Sequence, residues 1–260
     1  MIVKLALISD VHANIEALQA TLDDIAIEGV DRIVCLGDIV GYNTNPRECI
    51  ALLRAAGALC IAGNHDRAVC GEITTETFSR TAARAVAWTR AHLTAGELAF
   101  LRGLPLRATV GDKLVAVHGA FHAPDACEIV RLDSDEKRLL SFKTLIADPS
   151  GARIGVFGHT HVAGVYEYCG GRVTLPSVEE DVVALRDDAY YLLNPGSVGE
   201  PRSADRRARY MVLDLARATV TLHAVAYDAA VPFAKTRAAG IGPRLSFLPA
   251  PLRQALKSGR

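Results

Sequence analysis

Five short apolar runs along the chain have the length and composition of buried β-strands. They are rich in Val, Ile, Leu and Ala, and polar or glycine-containing segments bound them. Such continuous runs are typical of strands that are covered on both faces. The runs occupy residues 3–8, 32–36, 58–62, 113–117 and 153–157.

Segments with helical periodicity lie between the first three of these predicted strands. Apolar side chains recur at three- and four-residue spacing over residues 15–25, and Pro46 suits the first turn of a second helix. This alternation of strand and helix predicts right-handed crossovers and a parallel sheet. Two further helices are predicted over residues 75–91 and 95–101.

The second half of the chain is dominated by short β-rich segments. One helix, predicted over residues 135–146, interrupts them, Gly170-Gly171 indicates a hairpin turn, and residues 215–218 predict another turn. This number of strands is larger than a single sheet usually holds. We therefore predict an α/β fold with two packed sheets flanked by helices. The additional strands are predicted over residues 107–110, 162–168, 172–175, 190–193, 209–215 and 219–226.

The five apolar runs end beside polar clusters. Ligand sites in α/β sheets lie outside the carboxyl ends of the strands, so we expect these clusters to gather along one rim of a sheet. The clusters are Asp10-Val11-His12, Gly37-Asp38, Gly63-Asn64-His65-Asp66, His118-Gly119 and Gly158-His159-Thr160-His161.

The residue types in these clusters are common ligands of divalent transition metals. Asp38 stands alone in its cluster, and its two carboxylate oxygens could bridge two ions ~3.5–4 Å apart. Taken singly, Asp10 could instead cap a helix, Asp38 and Asn64 could be turn residues, and His118 could be a core histidine. Their joint occurrence at five strand ends favours metal binding. The seven candidate ligands are Asp10, His12, Asp38, Asn64, His118, His159 and His161.

Composition narrows the classes of partner and compartment. Basic and acidic residues are balanced at 29 each and aromatic residues make up 6%, which argues against nucleic acid or an anionic membrane as partner. No apolar stretch approaches the ~20 residues that span a bilayer, and the first residues do not resemble a signal peptide. The six cysteines form no Cys-x-x-Cys pair, so we predict reduced thiols in a cytoplasmic protein.

The combined motifs resemble those of the calcineurin-like metallophosphoesterases over about the first 215 residues. The resemblance implies a four-layer α/β/β/α sandwich of two mixed sheets flanked by helices. We expect one such domain over residues 1–228. A C-terminal helix and an irregular tail over residues 229–260 are expected to belong to the same domain.

The resemblance also implies a ligand set for two divalent transition-metal ions. Manganese is the favoured ion, with iron, nickel, cobalt and zinc as alternatives. One ion would be bound by Asp10, His12, Asp38 and His161. The other would be bound by Asp38, Asn64, His118 and His159.

Catalytic and substrate-binding roles follow from the same resemblance. His65 would lie near the phosphate, polarising it or protonating the leaving oxygen. Asp66 is expected either to orient the His65 ring or to serve as a turn residue. Asn64, His65, His122 and Arg202 are the expected substrate contacts. For His122 the alternative is an exposed loop position, and for Arg202 it is a solvated face.

Two departures from related branches favour a phosphodiesterase. Serine/threonine protein phosphatases carry an arginine soon after the Gly-Asp motif and another just before Gly-Asn-His. This chain has Ile39-Val40-Gly41-Tyr42 and Ala62 there. Residues 37–46 and 194–202 are instead similar to the small bacterial and archaeal phosphodiesterase branch.

We therefore predict a dinuclear-metal-dependent phosphoester hydrolase, with a metal-bridging hydroxide for in-line attack. Its substrate would be a small phosphodiester or nucleotide. The alternatives are a phosphomonoesterase or protein phosphatase, and a non-catalytic binding scaffold on the same fold. A nuclease is disfavoured by the balanced charge. The sequence leaves a homo-oligomer open.

Overall fold

The chain folds into two six-stranded β-sheets flanked by helices, in a computed structural model that describes residues 3–202 and 205–242. The strands in that part of the chain are β1 (Lys4–Ile8), β2 (Arg32–Cys35), β3 (Leu59–Cys60), β4 (Arg107–Val110), β5 (Leu114–Val117), β6 (Ile154–Val156), β7 (Gly164–Cys169), β8 (Arg172–Thr174), β9 (Val182–Ala184), β10 (Tyr190–Asn194), β11 (Ala208–Asp214) and β12 (Thr219–Val225). The helices are α1 (Ile15–Glu28), α2 (Pro46–Ala55), α3 (Asn64–Cys70), α4 (Arg80–His92), α5 (Ala95–Arg102), α6 (Asp135–Ile146) and α7 (Ala230–Ala238).

Both sheets are mixed. The first has the order β3-β2-β1-β11-β12-β9, in which β1, β2 and β3 run parallel and β11 is antiparallel to β1. The second has the order β4-β5-β6-β10-β7-β8, in which β5, β6 and β10 run parallel. The predicted parallel arrangement of the first three strands is confirmed.

Three hydrophobic clusters divide the molecule into four layers. Alternate residues of β1 face opposite sides, so Leu5 and Leu7 pack between the two sheets while Ala6 and Ile8 pack under α1 and α2. On the second sheet, Leu192 turns outward into a third cluster beneath α6. This is the four-layer α/β/β/α sandwich predicted from the sequence. It also explains why the strand segments are almost wholly apolar.

Most of the predicted elements agree with the structure to within a few residues, but three differ. The helix predicted over residues 75–91 begins at Arg80, because the Ser79 side chain accepts a hydrogen bond from the Ala82 backbone N–H and caps it there. Helix α3 and strand β9 were not predicted. The hairpin at Gly170-Gly171 is confirmed, with both glycines at positive φ.

The C-terminal segment begins as predicted with a helix, α7, which packs on α1. Lys235 forms an ion pair with Glu16 of α1 and its Nζ lies 3.0 Å from Oδ1 of Asn45. The irregular tail predicted beyond residue 242 lies outside the described residues. Within the described part of the chain, no helix has the length and apolar character needed to cross a bilayer.

Candidate metal centre

The predicted polar clusters meet where the carboxyl ends of two sheets lie side by side. The loops after β1, β2 and β3 come from the first sheet, and those after β5 and β6 come from the second. The expectation of a single sheet rim is therefore wrong in this respect. The second sheet contributes His118, His159 and His161, which follow its strands β5 and β6.

Two buried carboxylates form the middle of the site. Asp38 Oδ2 lies 3.6 Å from His12 Nε2 and 3.4 Å from His118 Nε2. Asp10 Oδ1 lies 3.3 Å from His161 Nε2 and 3.8 Å from His12 Nε2. The ligand-type atoms fall into three overlapping groups that could each hold an ion. The groups are Asp10 with His12 and His161, His12 with Asp38 and His65, and Asp38 with His118 and His159.

Three of the histidines are oriented by backbone carbonyls. Nδ1 of His118 lies 2.6 Å from the Leu36 carbonyl, and Nδ1 of His161 lies 2.6 Å from the Glu200 carbonyl. Nδ1 of His12 lies 3.2 Å from the Val40 carbonyl. A proton held on Nδ1 leaves the Nε2 lone pair free toward the centre, which is the usual arrangement of a metal-ligating histidine.

Several buried atoms at the centre have no hydrogen-bond partner among the described residues. They include Asp10 Oδ1, Asn64 Oδ1 and His118 Nε2. Buried polar atoms in folded proteins are nearly always paired, because an unpaired one costs about 1–3 kcal/mol. Two bound divalent cations would satisfy these atoms, Asp10 in one ligand set and Asn64 and His118 in the other, so the residues present fit the metal pair that the sequence predicts.

The loops hold unusual backbone conformations. Asp10, His12, Asp38, His159 and His161 all have φ between 49° and 61°, the left-handed region that non-glycine residues seldom adopt. Each such residue costs about 1–3 kcal/mol and persists only where its surroundings hold it. Here the loops hold one another, as the backbone N–H of His12 donates to the Asp38 carbonyl at 2.9 Å. Strain concentrated in this way is typical of functional sites.

The clustered charges shift the pKa values of the site. Burial opposes the charged form of His118, but the carboxylates of Asp38 and Asp10 outweigh it and raise its pKa to about 10. Burial lowers the pKa of His159 to about 3, and the charges of His118 and Arg131 act in the same direction. The two carboxylates therefore attract positive charge to the centre of the cluster.

The side chains of His65 and Asp66 have different neighbours. The His65 ring is buried beside His12, with ring centroids 4.8 Å apart. Asp66 makes no hydrogen bond to this ring among the described residues. Its carboxylate accepts the backbone N–H groups of Val40 at 3.1 Å and Gly63 at 3.0 Å, so it caps α3 and joins two metal loops. The alternative of a turn residue is closer to what is observed.

A pocket of about 420 Å³ opens over the cluster. Arg202 lines it as expected, with Nη2 3.5 Å from His161 Nε2. His122 does not, since its Nδ1 lies 2.8 Å from Ser141 Oγ beside a different pocket. The structure therefore places His122 outside the pocket over the cluster. Arg131 and Phe78 also line the pocket. They were not predicted from the sequence, because they belong to no motif.

The family of the chain is shown by its match to a domain model. The model of the calcineurin-like phosphoesterase superfamily domain matches residues 3–218. The chain belongs to this superfamily. The matched range includes every strand end that contributes to the centre. Phosphoester hydrolysis is therefore the reaction class that the chain's family supports.

This calcineurin-like phosphoesterase is similar to individual bacterial and archaeal proteins. It is 35% identical over 227 residues to an uncharacterised protein from Methanocaldococcus jannaschii, covering 86% of this chain and 88% of that protein. The crystal structure of a metallophosphoesterase from Sphaerobacter thermophilus is 34% identical, with a TM-score of 0.76 over all of both chains. A hypothetical protein from Pyrococcus horikoshii OT3, at 17% identity and TM-score 0.71 over 97% of both chains, shares the fold.

Proposed function

We propose that this calcineurin-like phosphoesterase is a dinuclear-metal-dependent phosphodiesterase acting on a small phosphodiester or nucleotide. The observation that carries the proposal is the clustering of Asp and His ligand atoms at one centre, where Asp10 Oδ1, Asn64 Oδ1 and His118 Nε2 are buried without a hydrogen-bond partner among the described residues. Membership in the superfamily supplies the reaction class.

The residues divide into two ligand sets around a shared carboxylate. Asp10, His12, Asp38 and His161 would hold one ion, and Asp38, Asn64, His118 and His159 the other. The bound ions would supply an activated water near neutral pH and offset the charge that develops on the phosphoryl oxygens. Mixed oxygen and imidazole donors suit Mn²⁺, with iron, cobalt, nickel and zinc as alternatives.

The protein's own groups would position the substrate. The His65 ring faces the pocket between Tyr42 and Phe78, where it can polarise a phosphoryl oxygen or donate a proton to the leaving oxygen. Asp66 holds this ring in place indirectly, since it fixes the start of α3 against the Val40 loop.

The positions near those that carry arginines in protein phosphatases are apolar in this chain, which supports a diester substrate over a phosphoprotein. Arg131 and Arg202 are the cationic side chains among the described residues lining the pocket. Val40 and Ala62, near the positions where protein phosphatases carry arginines, are buried and apolar.

Cellular context follows from the same chemistry. All six cysteines lie in the described part of the chain and none forms a disulfide. Free thiols support a reducing compartment, so we place the protein in the cytoplasm. Its partner would be a small phosphoester rather than a membrane or a nucleic acid.

Hydrolysis of bis-p-nitrophenyl phosphate tests the proposal. We expect the protein, stripped of metal and refilled with Mn²⁺, to cleave this diester faster than p-nitrophenyl phosphate, and to lose activity in chelator. His65→Ala should lower kcat about 100-fold or more, the range for a positioned proton-transfer group. The absorbance of released p-nitrophenolate measures both rates.

The matched control is His122→Ala, a histidine outside the pocket that should leave the rate unchanged. Faster cleavage of the monoester would replace the phosphodiesterase with a phosphomonoesterase. A folded protein that cleaves neither ester with Mn²⁺, Fe²⁺, Co²⁺, Ni²⁺ or Zn²⁺ would point to a binding scaffold on this fold.

A further inference from the structure

The pocket over the metal cluster has a chemically divided lining. Its base is formed by the metal-binding residues, its flanks carry Arg131 and Arg202, and one wall is built from rings. Ligand pockets of this size, between about 300 and 1,000 Å³, usually hold a small molecule with a few fixed polar contacts. The two kinds of lining indicate which parts of a substrate lie where.

Arg131 is held only weakly by the protein side chains around it. Its Nε is buried and makes no hydrogen bond within the described residues, and its nearest carboxylate is Asp133, 3.9 Å away and half exposed. The guanidinium is close enough to His159 to contribute, after burial and the charge of His118, to the lowered pKa of that histidine. A cationic fork beside the metal ligands, whose one recorded carboxylate neighbour lies 3.9 Å away, suits a phosphoryl oxygen.

The loop that carries Arg131 is fixed rather than free. The backbone N–H groups of Gly119 and Ala120 donate to the Cys127 carbonyl at 2.6 and 2.8 Å, which folds the loop back on itself. Glu128, fully buried, forms an ion pair with Arg67 of α3. The pair ties the loop to the helix that begins with Asn64 and His65, so Arg131 is held at a set position relative to the centre.

Arg202 lies on the other side of the pocket, beside His161 and Tyr42. Burial raises the pKa of the Tyr42 hydroxyl, and the neighbouring Arg202 charge acts in the opposite direction. The two arginines therefore flank the metal cluster, one next to His159 and one next to His161. They stand in a different part of the chain from the two arginines of protein phosphatases.

Three rings form a continuous wall along the pocket. The Tyr42 and His65 centroids are 4.7 Å apart, and the His65 and Phe78 centroids are 5.0 Å apart. The side chain of Ile129, 41% exposed, also lines the pocket. A flat ring bound against this wall would bury its faces and stack, which a sugar or an alkyl alcohol would do less well.

We propose that Arg131 binds a phosphoryl oxygen of the substrate and that Phe78, with Tyr42, receives a flat aromatic group linked to that phosphate. The substrate class would be phosphoesters of aromatic alcohols or of nucleosides whose base reaches the wall. The inference rests on the proposed function for the reaction and adds the residues that select its substrate.

Binding of two product-like probes tests it without turnover. Isothermal titration of Mn²⁺-loaded protein with adenosine 5′-monophosphate and with ribose 5-phosphate compares the same phosphate with and without a ring. We expect the nucleotide to bind about 10-fold tighter or more, given the strength of base–aromatic stacking. Phe78→Leu should remove most of that preference while leaving the affinity for ribose 5-phosphate within about twofold.

Arg131→Gln should weaken both probes by about 10–100-fold, the range for a lost charged hydrogen bond. The matched control is Arg138→Gln on α6, whose side chain pairs with Asp135 and stacks over Tyr166 instead of lining the pocket. It should bind both probes as the parent does. Thermal unfolding of each variant shows whether it is folded at the titration temperature.

The outcomes separate this inference from the proposed function. Metal-dependent diester cleavage with unchanged probe affinity in Arg131→Gln would overturn the inference and leave the enzyme standing. Equal affinity for the two probes in the parent protein, or no binding of either, would overturn it as well. Arg131-dependent binding in a protein that cleaves no ester would support the binding site and remove the enzymatic function.

Discussion

Asp38→Ala is expected to lower kcat/KM for diester cleavage by about a thousandfold, the scale of losing a preorganised electrostatic group. Asp38 is the carboxylate closest to both halves of the site, with Oδ2 3.4 Å from His118 Nε2 and 3.6 Å from His12 Nε2. Its removal leaves neither half with a complete ligand set. Metal analysis after dialysis should find fewer than two ions per chain.

Asp38→Asn removes the negative charge of the side chain and keeps its size and shape. In the parent, Asp38 Oδ1 accepts the backbone N–H of His65 at 2.8 Å, and an asparagine carbonyl can keep that bond. We expect Asp38→Asn to fold as well as the parent but to bind metal weakly and to lose most activity. Parent-like activity in Asp38→Asn, with two ions bound, would show that the carboxylate does not bridge the ions.

Gly63→Ala is expected to cost both stability and activity. A Cβ at this position would lie well under 3.0 Å from the Asp38 backbone nitrogen and carboxylate. The loops after β2 and β3 would have to separate, and overpacking of this kind costs about 1–3 kcal/mol of unfolding free energy. A catalytic group displaced by about 1 Å can lose about 100-fold in rate. Denaturant unfolding and diester cleavage measure the two effects.

Gly96→Ala is the control for this substitution. Gly96 lies in the first turn of α5, and a Cβ there meets nothing within 4 Å among the described residues. The change should leave activity unaltered and stabilise the protein by up to about 1 kcal/mol, because alanine has less freedom in the unfolded chain. If Gly63→Ala behaved like Gly96→Ala, the two loops would not be packed as closely as the structure shows.

The grouping of the candidate ligands was predictable because it depends on topology more than on the exact loop conformations. Parallel strands bring their carboxyl ends to one edge, so residues after each strand meet whatever the exact loop conformation. Asp10, Asp38 and His118 could therefore be grouped from spacing alone. That two sheets share the edge was not predictable from spacing, because the strands after β4 could pair in several orders.

The backbone conformation of the loops was not predictable from the sequence. A glycine often marks a positive φ, but His12, His159 and His161 adopt it without being glycine. Their conformations result from hydrogen bonds between loops that lie far apart in sequence, such as the Asp10 N–H to the Gly37 carbonyl at 3.1 Å. Local propensity contains no information about such bonds.

Helix α3 and Asp66 show how a turn signal can hide a helix start. The pair Gly63-Asn64 favours a turn, but Gly63 is the N-cap of α3. Asp66, at the third position of the helix, accepts a hydrogen bond from the backbone N–H of Gly63. The residues that seemed to end the strand also begin the helix. Arg131 escaped prediction for another reason, since only the folded loop from His118 onward brings it to the pocket.

Metal content measured together with activity tests the central claim most directly. Metal-free protein would be titrated with Mn²⁺ while bound ions per chain are counted by mass spectrometry and bis-p-nitrophenyl phosphate cleavage is followed. The account predicts that cleavage reaches its maximum as the second ion binds, and that Asp38→Ala does not reach two ions. A folded protein that binds no ion, or that cleaves the diester equally well in chelator, would contradict the account.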